Sequence, residues 1–325
     1  MKNNSFVTIR SLSLLGQRGT FGKTVCDLAE KNDLIWAMTA DQGAGAAVYR
    51  FKEKFPDRFL NFGISEQNAI GVCSGLANEG YIPFVAFQSV FTSMRCADQV
   101  RVMMSYMKLP VKLVGIFSGL TQGDCGPTHY ALQDLALFRS MENIVVLSPS
   151  DAFQTEKCVQ KAAEIKTPVY LRLGGAINTP IIYKEDFDFE IGKAITLREG
   201  TDVAVIATGT MVYNALKAAE KLEGNGISVK IVDMHTIKPL DIEAVKAACS
   251  VKLLVTVEEH SVHGGLGGAV AEALALEAKR PPHLIIGVSG DYPHAASYPY
   301  LLEQAGLTPE QIALKIQKTY EEICK

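Results

Sequence analysis

The chain has 325 residues, 48% of them hydrophobic, and carries 32 basic against 35 acidic side chains. That length exceeds what one core usually supports, so two domains are expected and a disordered chain is excluded. With no dense Lys/Arg run, neither nucleic acid nor membrane is an expected partner; a small molecule or another protein is. The seven cysteines (Cys26, Cys73, Cys96, Cys125, Cys158, Cys249 and Cys324) are odd in number and never spaced C-x-x-C. That argues against a disulfide framework and a zinc site, and for reduced thiols in a cytoplasmic protein.

In chain order, the N-terminal MKNNSFVTIRSLSLLGQRG holds an apolar run too short and too mixed for the core of a signal peptide. No stretch approaches the roughly 18 apolar residues of a membrane span. From about residue 20 to residue 175, short apolar strands (LIWAMT, FLNFGI, IPFVAF, VKLVGIF, NIVVLS, VYLRL) alternate with amphipathic helices, which implies βαβ units and a mostly parallel sheet. The helix DAFQTEKCVQKAAEI follows SPSD, a strong N-cap cluster. Residues 174–200 mix Gly, Pro and charge without a period and read as a linker or an irregular edge. A second alternating set runs from DVAVIATG to the terminal helix TPEQIALKIQKTYEEICK. The expected fold is therefore α/β, two consecutive parallel-sheet domains at 1–180 and 201–325 joined by a linker at 181–200.

In open parallel sheets, ligands approach the carboxyl ends of the strands, so the loops there hold the candidate residues. Glu66 lies at the junction of FLNFGI and the helix SEQNAIGVCSGLANEG. It is either an acidic residue offsetting the helix dipole, with Ser65 as N-cap, or a functional carboxylate. The segment FSGLTQGDCGPTHYALQD, 117–134, carries Asp124 and His129 among glycines; a loop histidine of this kind is otherwise a surface or capping residue. TADQGAGAAV, 39–48, is glycine-rich but lacks the G-x-G-x-x-G spacing. EEHSVHGGLGGAV sets His260 and His263 before a helix, as a tight connection or a reactive loop.

Taken together, FGISEQNAIGVCSGLA, FTSMRCADQVR, GDCGPTHYALQDLALFRSMENIVVLSPSD, DMHTIKPLD and VEEHSVHGGLGGAVAEAL resemble, in order and over nearly the whole chain, the second half of transketolase. The likeness is closest to the small subunits of split transketolases. It implies a pyrimidine-binding domain followed by a transketolase C-terminal domain, and a two-carbon ketol transfer that uses thiamine diphosphate. Under this resemblance Glu66 hydrogen-bonds a ring nitrogen of the cofactor's aminopyrimidine and is a catalytic residue, Phe91 stacks on that ring, and Ile64 lines the same pocket. A buried carboxyl suits sharing a proton with a weakly basic nitrogen. His129 corresponds to a substrate-contacting histidine, and Arg172, in YLRLGG, to an arginine that holds the sugar phosphate.

The family holds the diphosphate through Mg2+ bound at a G-D-G with an asparagine further on, and this sequence has no G-D-G. The resemblance therefore implies a partner, an N-terminal transketolase subunit that carries the diphosphate and Mg2+ site, within a heterotetramer. Several substrate positions depart from the family pattern. Cys125 stands for an aspartate, with Asp124 beside it; Phe117 stands for a histidine, Gly45 for a serine, Gln88 for an aromatic residue, and Gly19, flanked by Arg18, falls near an arginine. An unusual sugar donor or acceptor is expected. The competing expectations are the beta subunit of a 2-oxo acid dehydrogenase's decarboxylating component and a noncatalytic α/β scaffold subunit.

Overall fold

The computed structural model describes residues 6–176 and 179–325. Its strands, in chain order, are β1 (Ile35–Thr39), β2 (Phe59–Asn61), β3 (Ile82–Gln88), β4 (Lys112–Ile116), β5 (Val145–Leu147), β6 (Val169–Arg172), β7 (Ile195–Arg198), β8 (Val203–Ala207), β9 (Val229–Asp233), β10 (Thr236–Lys238), β11 (Leu253–Ser261) and β12 (His283–Val288). Two sheets result, in the orders β10-β5-β6-β4-β3-β1-β2 and β12-β11-β8-β9-β7. Every pairing is parallel except β10 with β5 and β7 with β9. The central strands are buried on both faces, as helices packed on either side of a parallel sheet require. Two α/β layers of this kind match the sequence expectation.

The helices are α1 (Phe6–Ala29), α2 (Tyr49–Lys54), α3 (Glu66–Asn78), α4 (Ala97–Gln99), α5 (Asp134–Ser140), α6 (Ala152–Glu164), α7 (Met211–Gly224), α8 (Ile242–Ala247), α9 (Leu266–Ala273), α10 (Tyr298–Gln304) and α11 (Pro309–Ile323). Asp151 caps α6 by accepting from Gln154 N at 2.7 Å, as SPSD predicts. Helix α4 is flanked by two π-helical stretches, Phe91–Arg95 and Val100–Tyr106, so 91–106 forms one widened helical segment.

Three features depart from the sequence reading. Helix α1 occupies the N-terminal segment, where the sequence reading places no element, and it bends at Gly16, whose φ of 61° breaks the helical path. The stretch read as a linker or an irregular edge supplies β7, a regular antiparallel edge strand; residues 177 and 178 of that stretch lie outside the described residues. Strand β10 leaves the second half of the chain to complete the edge of the first sheet, so the sheets do not follow the expected cut at residue 200. One hydrophobic cluster accordingly runs from Ile70 and Val85 through Phe138 and Leu266 to Ile206 and Val232, spanning both sheets. Among the described residues, no helix is long and apolar enough to cross a membrane.

Candidate active site at the ends of the first sheet

Glu66 is the first residue of α3, directly beyond β2, and only 4% exposed. Ser65 sits at the N-cap position but does not cap: its hydroxyl donates backwards to Phe62 O at 2.7 Å. The capping role expected of it is corrected accordingly. The Glu66 carboxylate instead accepts from Arg95 Nη1 at 2.7 Å. Arg95 also lies over the Phe91 ring, its Cζ 4.1 Å from the centroid, and His129 meets the same ring edge-on with centroids 5.6 Å apart. Phe91 and Arg95, four residues apart in a π-helical turn, lie on one flank of the segment, with Arg95 reaching Glu66. Glu66, Phe91 and His129, predicted from three separate segments, thus stand in one constellation, and Arg95 joins it.

The loop after β4 forms the neighbouring wall. Asp124 and Cys125 are exposed, and Cys125 Sγ accepts from Gln122 Nε2 at 3.3 Å. His129 Nδ1 is 3.0 Å from Thr128 Oγ1. The loop rests on the second half of the chain, because Tyr130 OH donates to His294 O at 3.0 Å and Ala296 N donates to Gly123 O at 3.1 Å. Phe117 has a φ of 56°, a left-handed backbone that is strained for a bulky residue. Arg18 lies 3.9 Å over its ring and donates to Gly45 O at 2.9 Å. A Cβ on Gly45 would stand 3.0 Å from Phe117 Cε2, so the missing side chain makes room for the ring. Three positions singled out separately in the sequence are therefore one packed unit.

Two expected site residues are placed differently. Ile64 is 77% exposed; it stands on the surface beside Glu66 and encloses no pocket within this chain. Arg172 is buried, with Nε 2.8 Å from Asp134 Oδ2 and Nη2 donating to Ala131 O and Glu259 O. Its donors face the seam between the sheets, which corrects the phosphate contact expected of it. Burial alone would lower its pKa, but Asp134 more than offsets that and holds the guanidinium above the ordinary arginine value.

The seam holds further buried charges. Glu259 accepts from Leu120 N, Thr210 Oγ1 and Tyr298 OH, yet its burial still raises its pKa. Gly119, at φ 67°, has no room for a side chain, since a Cβ there would lie 2.3 Å from Glu259 Oε1. Glu258 caps α9 through Leu266 N and Gly267 N. His260 donates from Nδ1 to Ser261 O at 2.8 Å inside the seam, and burial lowers its pKa. His263 is exposed.

Sequence reasoning misses Arg95, which reads there as one more charge on an amphipathic helix. Its only signal is the spacing from Phe91. Gln88 ends β3 three residues before Phe91, and its buried Oε1 has no hydrogen-bond partner among the described residues. Among those residues no group of three or more His, Cys, Asp or Glu is placed to hold a metal ion.

Comparison with known proteins places this geometry in context. Residues 15–175 match the family described as the transketolase pyrimidine binding domain, and residues 192–312 the transketolase C-terminal domain. The chain is 38% identical to one of the subunits of the apulose-4-phosphate transketolase of Phocaeicola vulgatus, over 85% of this chain and 88% of that one. It is also 38% identical to a 6-deoxy-6-sulfo-D-fructose transketolase subunit of a Clostridium species, over 91% of each. A solved structure described as a split gene transketolase in an inactive β4 tetramer superposes with a TM-score of 0.84 at 39% identity, covering 94% of this chain and 98% of that chain.

Proposed function

The chain belongs to the transketolase family, and from that premise we propose that it is the small subunit of a split enzyme that transfers a two-carbon ketol unit between sugars. The residues fit the aminopyrimidine end of thiamine diphosphate. Glu66 is a buried acceptor, Phe91 already carries a planar N–H donor, the Arg95 guanidinium, on its ring, and the buried Gln88 Oε1 has a free acceptor beside that segment. When bound, thiamine diphosphate supplies the nucleophilic carbon that carries the two-carbon unit.

In this reading Glu66 holds a proton at the ring nitrogen and Phe91 sets the plane of the ring. His129, against the edge of Phe91, hydrogen-bonds the substrate's hydroxyl groups. Asp124 and Cys125 line the substrate's approach, and Phe117, braced by Arg18, narrows it. The diphosphate and Mg2+ are held by an N-terminal subunit, so the active site forms between chains. The high exposure of Ile64, beside a nearly buried Glu66, supports a partner that covers this edge. The inactive β4 tetramer of the 39% identical chain supports both self-association of this chain and inactivity without the partner. Free thiols at all seven cysteines agree with a cytoplasmic protein.

The single observation that carries this reading is a buried carboxylate and an aromatic face at a strand-to-helix junction, opening onto an exposed edge. A noncatalytic scaffold is the second reading, because Arg95 pairs with Glu66 and removes the cost of an unpaired buried charge. The two diverge in Glu66→Gln, measured as deuterium exchange at the thiazolium carbon of the chain reconstituted with its partner. A proton-sharing role predicts exchange slowed by roughly two to four orders of magnitude, the range of general acid–base groups. Exchange at an accelerated wild-type rate would remove the role given to Glu66, and exchange no faster than that of free cofactor even in the wild type would leave only the scaffold.

A further inference from the structure

The guanidinium of Arg95 makes both contacts that the cofactor reading assigns to the aminopyrimidine. It is planar, it donates an N–H to Glu66 Oε1 at 2.7 Å, and it lies 4.1 Å over the Phe91 centroid. These are the interactions by which a guanidinium replaces an aromatic N–H donor on an aromatic face. We propose that Arg95 is an internal stand-in for the aminopyrimidine: in the free chain it occupies the Glu66–Phe91 site, and it swings outward when the ring enters. The inference rests on the assignment of Glu66 and Phe91 to that ring.

Three features make Arg95 suited to leave. Its side chain is 42% exposed, against 4% for Glu66, so it reaches water by rotating its own bonds. An ion pair with one partner in solvent is weakly held, unlike a pair buried on both sides. The π-helical turn carries Phe91 and Arg95 on the same short stretch, so the aromatic face stays in place while the long side chain moves. The arrangement also keeps Glu66 partnered at every stage. A nearly buried carboxylate would otherwise stand unpaired before the ring binds.

The test uses the full chain alone and, as probe, 4-amino-5-hydroxymethyl-2-methylpyrimidine, which needs neither magnesium nor the partner subunit. Affinity is read by ligand-observed NMR and by the probe's shift of the melting temperature. If Arg95 fills the site in about nine molecules of ten, freeing it in Arg95→Met tightens apparent probe binding about tenfold. Arg95→Gln keeps a donor to Glu66 without the stacked cation; it falls between wild type and Arg95→Met and serves as the test if the latter fails to fold. Probe affinity in the arginine variants no tighter than wild type, with Glu66→Gln still weakening it, overturns the stand-in and leaves the pyrimidine site intact. Affinity in Arg95→Met that is indifferent to added Glu66→Gln and Phe91→Ala removes the pyrimidine site itself, as does the absence of binding in every variant.

Discussion

Two carboxylate–arginine pairs organise this chain, and they differ in what surrounds them. Asp134 and Arg172 pair at 2.8 Å with both side chains inside the seam between the sheets, where Tyr170 OH also donates to Asp134 Oδ2 and Arg172 Nη2 donates to Ala131 O and Glu259 O. Glu66 and Arg95 pair at 2.7 Å on the rim, with the arginine half in water and little else attached to it. The same chemistry thus serves as a fixed joint in one place and as an exchangeable contact in the other. Burial of the second partner decides which, since it sets the cost of separating the charges.

If that contrast is right, damage to the seam reads out as stability and damage to the rim as specificity. The largest effect is expected for Arg172→Met, which strands Asp134 as a buried charge. Unfolding in denaturant should show a loss of about 3 to 5 kcal/mol, with turnover per folded molecule in the reconstituted enzyme little changed. A stable variant with altered substrate preference would mean that Arg172 belongs to the rim after all.

A second seam group sharpens the comparison through pH. Asp233 accepts from Tyr183, Ser150 and Gln154, but burial outweighs these donors and pushes its carboxyl from 3.8 up to about 6. A raised folded pKa means that the neutral form is favoured by folding. Its contribution is therefore present below pH 3.8 and lost as pH rises through about 6. A shift of that size corresponds to about 3 kcal/mol. Asp233→Asn removes the titration, so its stability relative to wild type should climb between pH 4 and pH 7. Parallel stability curves for the two proteins would exclude the linkage.

The smallest free-energy change is expected on the rim, where it has the largest functional meaning. Cys125→Asp with Phe117→His adds polar groups at the positions that the proposed function assigns to the substrate's approach, and histidine tolerates the left-handed backbone of position 117 better than phenylalanine does. Wild-type enzyme is expected to use xylulose 5-phosphate and ribose 5-phosphate poorly. The double variant should gain about tenfold to a hundredfold in kcat/KM, the worth of a hydrogen bond to a charged group. Its melting temperature should barely move. High wild-type activity on these sugars would strip the departures at Phe117 and Cys125 of any role in specificity.

Local features were the legible ones. Glu66 could be found because a strand-to-helix junction lies within a dozen residues, and the SPSD cap because a cap is a contact three residues long. The parallel sheets could be read from strand and helix periods alone. What escaped depends on distant residues. Arg95 meets Glu66 across 29 positions through a π-helical turn that has no sequence period of its own. Arg172 looked like a strand-end cation free to bind an anion, and only the placement of Asp134, 38 residues earlier, commits it to the interior. Helix α1 has too mixed a surface to show an apolar stripe, and β10 is three residues that make sense only beside β5.

Strand β10 also bears on how such a polypeptide can be divided. A fragment ending in the stretch between the two halves would lose β10, and β5 would become a bare edge whose backbone N–H and C=O groups invite pairing with another copy. The complementary fragment would carry a strand with no sheet to join. The two lobes are thus a single structural unit. A cut between the lobes therefore yields one piece with an open edge and one with an unpaired strand.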